Sequence, residues 1–142
     1  MSTTNKNLVQ IKMDIKLAEN VFGKENVFWD NDFNWIMIKN FKLPEIFNQR
    51  YTNCLIILPP GYGYGTKLEE FYLNKDLKVK KNTSYSSLPH YYRDNIKKGH
   101  SYLSKNWQWL CIHPHWEKGD SLLSFLKQIE IFLKWPFETT MT

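Results

Sequence analysis

Five apolar residues in a row, CLIIL at 54–58, run directly into PPGYGYG at 59–65. A strand with one wet face alternates apolar and polar residues, whereas this run is continuous. It therefore predicts a strand covered on both faces, inside a sheet rather than at its border. The turn that follows must be sharp, because closely spaced Gly and Pro leave no room for regular structure. A chain built around such a strand needs other apolar elements to lay over it.

Those elements can be read on either side. Leu8, Ile11, Ile15, Ala18 and Phe22 recur at helical spacing, with Lys12, Asp14, Lys16 and Glu19 between them. They predict an amphipathic first helix that stops near Gly23. Trp35, Ile36, Met37 and Ile38 form a short strand before a turn region at Asn40, and Leu43-Pro44 closes that segment. Phe71, Tyr72 and Leu73 read as another short strand. Residues 74–106 are polar, basic and loop-like, holding Lys75, Lys78, Lys80, Lys81, Arg93, Lys97, Lys98 and Lys105. After Gly119, Asp120 can cap a helix whose apolar positions are Leu122, Leu123, Phe125, Leu126, Ile129, Phe132 and Leu133. Trp135-Pro136 ends it, since a residue before proline avoids the helical region. Helix, strands, long loop and helix in that order predict an α+β chain, a small meander sheet packed on helices.

Composition narrows the classes. The 142 residues fit one domain, 1–142, and 42% hydrophobic content with 6 Trp, 8 Tyr and 9 Phe supplies a core that a disordered chain lacks. No segment reaches the roughly 20 apolar residues of a membrane span, and the polar start, MSTTNKNLVQIKMD, lacks the apolar centre of a secretory signal. With only Cys54 and Cys111 a disulfide framework is not expected, and a cytoplasmic setting with both thiols reduced is. Lys and Arg outnumber Asp and Glu by 19 to 14, a net charge of +5. That balance favours acidic partners, either a protein surface or nucleic acid, and suits a solvated basic face equally well.

Most of the chemistry lies in WLCIHPHWEKGD, residues 109–120, which sets a thiol, two imidazoles and two indoles within eight positions. Three readings of it stand open on the residues alone. Cys111 can be a nucleophile that takes an acyl group and hands it to an amine, with His113 and His115 lowering its pKa or orienting the amine. On an extended segment, a two-residue offset puts Cys111 and His113 on the same side. Alternatively, Cys111, His113, His115 and one of His90 or His100 can make a four-ligand zinc site, although Pro114 stiffens the link and no C-x-x-C spacing occurs. Or Cys111 is a small apolar core residue in a Trp-rich segment.

The order of these segments resembles the ubiquitin-conjugating enzyme (UBC) superfamily. In that family an apolar strand runs into an FP-x-x-YP turn. Here LIILPPGYGYG takes that place, with Leu58-Pro59 and Tyr62 or Tyr64 matching the Pro and Tyr. The family's active cysteine heads an I-C-L segment followed by a Trp, a helix and a Pro; Leu110-Cys111-Ile112, Trp116, SLLSFLKQIEIFL and Pro136 correspond. The likeness is greater to a bacterial branch, encoded in operons with a ubiquitin-like protein, an activating enzyme and a JAB-type deconjugating protease, the antiphage Bil type among them. There, I-x-x-F-x-L-P precedes the strand, as IKNFKLP does here at 38–44. H-x-x-W-x-x-G-D-x-L follows the cysteine, matched by His113, Trp116, Gly119, Asp120 and Leu122.

The resemblance implies a UBC-like fold lacking the last two helices of the eukaryotic family. It also implies a transferase that carries a ubiquitin-like protein as a Cys111 thioester, with His113 and Asp120 positioning or deprotonating the acceptor amine. The expected partners are a ubiquitin-like protein, an activating enzyme, a JAB-type protease and a target protein the sequence does not identify. No cofactor, metal, membrane or nucleic acid is implied, and Cys54 matches no catalytic position. The family's His-Pro-Asn is absent: His100 lies eleven residues before the cysteine and Asn106 five, with no Pro between. The oxyanion partner is therefore open among Asn106, a backbone amide and His113. A noncatalytic binding module of the same fold, and a nucleic-acid module using the tyrosine-bearing basic loop, are the competing classes.

Overall fold

A computed structural model describes residues 6–88, 106–110, 112 and 114–137, together with the backbone of Tyr91–Arg93. The first helix, α1, spans Leu8–Phe22. Asn7 caps it, its side-chain oxygen accepting from the Gln10 amide at 3.2 Å, and Gly23 ends it at φ +95°, a value that favours glycine. A single 3-10 turn leads into β1 (Val27–Trp29), β2 (Trp35–Lys42), β3 (Tyr51–Ile57) and β4 (Phe71–Asn74). Then come β5 (Val79–Lys81), β6 (Ser84–Ser86), β7 (Tyr91–Arg93), β8 (Trp107–Leu110) and the second helix, α2 (Leu122–Lys134).

The sheet has the order β1-β2-β3-β4-β8-β7, antiparallel at every step, and β5 and β6 form a separate hairpin. The α+β meander and the UBC-like fold expected from the sequence are what the chain adopts. Register explains the continuous apolar run. Ile36, Ile56, Phe71 and Leu110 form one row across four strands, with Ile38, Cys54 and Leu73 beside it. Both rows point to the helices, joining Ile11, Ile15 and Ala18 of α1 and Phe125, Ile129 and Phe132 of α2 in the main core. On the opposite face Met37, Leu55, Tyr72 and Trp109 are aligned, and they cluster with Trp35, Ile57 and Trp107. Strand β3 thus buries alternate residues in two different clusters. Phe125 meets Phe71 edge-on, with ring centroids 5.9 Å apart.

Three local expectations change. Asn40 does not end its strand: β2 continues through it to Lys42 by a bulge, with the register shifting between Ile38 and Phe41 and Asn40 at φ +58°. Asn tolerates that left-handed geometry better than most side chains. The stretch 74–106 is not all loop, since β5 and β6 pair across a turn holding Asn82 at φ +61°. The cap of α2 is Ser121, not Asp120: the Ser121 amide donates to the Ser124 hydroxyl oxygen at 3.1 Å. No helix among the described residues is long and apolar enough to cross a membrane.

The turn after β3 is where glycine is required. Gly63 sits at φ +87°, and a Cβ there would lie 2.5 Å from the Asn7 Cβ at the start of α1. Gly65, at φ +111°, has nothing within 4 Å of that position. Gly63→Ala is therefore expected to lose stability through both backbone strain and the clash. Gly65→Ala bears only the strain, of order 1–3 kcal/mol. Urea unfolding of the two variants should show the larger loss for Gly63→Ala.

Candidate functional site

The turn PPGYGYG and the segment that leads into α2 face each other and form the walls of a cleft of about 600 Å³. Gln10, Tyr62, Tyr64 and Thr66 line one side and Trp116 and Asp120 the other. The first wall is tied down by its own backbone: the Tyr62 amide donates to the Pro59 carbonyl at 3.1 Å and the Tyr64 amide to the Gly61 carbonyl at 2.9 Å. The Asn7 amide donates to the Tyr62 carbonyl at 2.9 Å, which joins this wall to the start of α1.

The second wall is anchored at each end. Leu110 and Ile112 are buried in the main core, Pro114 is also buried, and Trp116 packs on the core while half-buried. Gln128 of α2 clasps the backbone of His115, accepting from its amide at 2.8 Å and donating to its carbonyl at 2.5 Å. The His115 imidazole points to solvent beside Glu117, with Nε2 3.3 Å from the carboxylate. Residues 117–120 then make a turn. The Asp120 amide donates to the Glu117 carbonyl at 3.0 Å, and an Asp120 carboxylate oxygen accepts from the Glu117 amide at 2.6 Å. Asp120 is thus held by its own turn, with its side chain at the cleft.

The two walls meet at one phenol. Tyr62 is 1% exposed, and its hydroxyl donates to Asp14 Oδ2 at 2.5 Å while accepting from the Leu122 amide, the first of α2, at 2.9 Å. Gln10 Nε2 donates to the other Asp14 oxygen at 2.8 Å. Asp14 stands among the polar residues between the apolar positions of α1 in the sequence, yet it is buried, 1% exposed. The legible signal was its spacing, three residues after Ile11 and four before Ala18, on the apolar stripe itself. Burial pushes the Asp14 carboxyl above the ordinary 3.8, opposed by the hydrogen bonds from Tyr62 and Gln10 and by the nearby Leu122 amide dipole. Burial, then Asp14, push the Tyr62 phenol up as well.

Of the predicted site residues, the structure sets Asp120 at the cleft; Cys111 and His113 lie outside the described residues, as do His90 and His100 of the alternative zinc set. Cys54 is sealed in β3, 0% exposed, and burial pushes its thiol up. With this fold and cleft in view, the chain matches the family model described as prokaryotic E2 family E over residues 13–135. The chain belongs to that family. The match spans Asp14, Tyr62, the cysteine segment and α2, and it makes the protein one of conjugating-enzyme type, a bacterial relative in the UBC superfamily. In general terms it brings a ubiquitin-like protein and an activating enzyme as partners. No curated protein and no solved structure matches the chain.

A carboxyl whose pKa is raised by folding holds its proton more tightly in the folded chain than in the unfolded one. Its contribution to stability is therefore full below 3.8 and is lost as pH climbs through the raised folded value. Asp14→Asn has no such charge to bury. Denaturation across pH 3 to 7 should show the stability of the native chain falling relative to Asp14→Asn as pH rises.

Proposed function

We propose that the chain accepts a ubiquitin-like protein from an activating enzyme as a thioester on Cys111 and passes it to an amine. The observation that carries this reading is the state of the other cysteine. Cys54 is fully buried at the centre of β3 with its thiol pushed up, which disfavours the thiolate that thioester chemistry needs. Within a conjugating-type family the covalent step therefore falls to Cys111, between the buried Leu110 and Ile112 and just before the wall of the cleft in sequence.

In the first step the Cys111 thiolate attacks the carbonyl carbon of the incoming thioester. A new carbon–sulfur bond forms, the old one breaks, and the activating enzyme's cysteine leaves as its thiolate; the exchange is nearly balanced in energy. In the second step a neutral amine attacks that carbonyl, an amide bond forms as the carbon–sulfur bond breaks, and the departing Cys111 sulfur takes up the proton the amine gives up. The amine must first lose a proton, because a lysine ammonium has a pKa of about 10.4. We assign the cleft to the incoming amine. One Asp120 oxygen is engaged by the Glu117 amide; the other has no donor among the described residues and can orient an ammonium, with His113 as the companion group for the proton.

The outer face of α1 suits the activating enzyme. Val9, Met13, Leu17 and Val21 are exposed at four-residue spacing, with Lys12 and Lys16 alongside. An apolar ridge flanked by lysines fits an acidic-edged partner surface. We infer a role in antiphage defence, with a JAB-type protease reversing the conjugation, from the resemblance of the motifs to the bacterial branch. Adjacent genes for an activating enzyme and such a protease would support that setting, and their absence would count against it.

The assay is to mix the protein with its matched activating enzyme, ubiquitin-like protein and ATP. A thiol-sensitive adduct is expected, absent in Cys111→Ala and retained in Cys54→Ala. Loss of the adduct in Cys54→Ala alone moves the thioester to Cys54 and overturns the assignment to Cys111; no adduct at all with an active partner set favours a noncatalytic module instead. Iodoacetamide under native conditions should leave Cys54 unmodified and react with it after unfolding, as mass spectrometry of the peptides would show.

A further inference from the structure

We propose that Tyr62 is the positioning residue of the conjugation site: its hydroxyl, shared between the Asp14 carboxylate and the amide that opens α2, holds the two walls of the cleft in register. This rests on the function proposed above, and it assigns to Tyr62 and Asp14 a task that neither the family nor the cleft lining specifies.

The geometry sets the direction of each hydrogen bond. The first amides of a helix have no partner within it, and a side chain just outside the helix ordinarily satisfies one. Here the partner of Leu122 comes from 60 positions earlier in the chain, on the opposite wall. An ionised carboxylate can only accept, so Tyr62 must give its proton to Asp14. The oxygen lone pairs of the phenol then remain for the Leu122 amide. Asp14 is held in turn by Gln10, one helical turn earlier on α1. Helix, turn and helix are therefore joined at one buried oxygen, and residues 116–120 lead straight into the residue it holds. Among the described residues the groups bearing on Asp14 are Gln10 of α1, Tyr62 of the turn and the Leu122 amide of α2, none of them a charged side chain.

Tyr62→Phe keeps the ring and deletes the bridge. The expected result is that discharge of the preloaded thioester to free lysine slows on the order of ten- to a hundredfold, as small misplacements of reacting groups do, while loading by the activating enzyme changes far less. Asp14→Ala should slow discharge similarly. Asp14→Asn, which can still accept from the phenol, should recover most of that loss. Because the two residues act through one bond, the double variant Asp14→Ala/Tyr62→Phe should be no slower than the worse single. Hydrogen exchange should quicken over residues 116–124 in Tyr62→Phe and Asp14→Ala and stay unchanged in β2 and β3.

Discharge at the native rate in Tyr62→Phe, or loading and discharge lost in equal measure with exchange rising everywhere, overturns the assignment. Should Tyr62→Phe not fold, the contrast between Asp14→Ala and Asp14→Asn decides. If the native chain itself takes no adduct from an active partner set, the conjugation reading fails instead, and the exchange data still show whether Tyr62 holds the wall.

Discussion

Burial of β3 on both of its faces is the constraint around which the rest of this molecule is arranged. Each additional apolar residue removed from water is worth about 1.5–3 kcal/mol when fully buried, and Cys54, Leu55, Ile56, Ile57 and Leu58 are all buried in succession. A strand like that cannot lie at an edge. β2 and β4 flank it and complete its hydrogen bonds, α1 and α2 cover the side bearing Ile56, and the Tyr72–Trp107 cluster covers the side bearing Leu55. The chain must also leave this strand abruptly, and the Gly-Pro turn that lets it do so becomes a wall of the cleft.

Placing a carboxylate beneath that cleft is costly, because Asp14 is shielded from water and no cation among the described residues neutralises it. The cost is offset by donors, with Tyr62 on one oxygen and Gln10 on the other. Removing the carboxylate without a substitute acceptor would leave buried donors unmatched, at about 1–3 kcal/mol each. An apolar contact of the same size would tolerate sliding; a directional hydrogen bond to a helix amide does not. Among the described residues every buried side-chain nitrogen or oxygen has a partner.

The segment around the cysteine shows a related economy. Leu110 closes the row that runs from Ile36 across the sheet, Ile112 is buried two residues later, and Gln128 replaces a strand partner for the backbone at His115. The backbone before position 111 is therefore fixed by the β8 ladder, and that after it by packing and by Gln128. His115 and Glu117 remain exposed beside each other on the outside of this segment.

Much of the fold was legible. The unbroken run at 54–58, the stripe Ile11, Ile15, Ala18 on α1 and the spacing of Leu122 to Leu133 on α2 are local signals, since side-chain periodicity alone reports which face of an element is apolar. The order of the motifs likewise pointed to the family. PPGYGYG, by contrast, offers two tyrosines with nothing local to separate them, and the fold buries Tyr62 to 1% exposure while leaving Tyr64 70% exposed. Asp120 looked like a helix cap and serves its own turn instead, because Ser121 stands one residue nearer. Asp14 looked like one more polar residue of an amphipathic helix. The sequence by itself determined the two helices, the strands that became β2, β3 and β4, their apolar faces and the family. Which polar groups meet was decided only when α1, the turn and α2 closed on one another, because a hydrogen bond between residues 48 and 60 positions apart depends on where three separate elements come to rest.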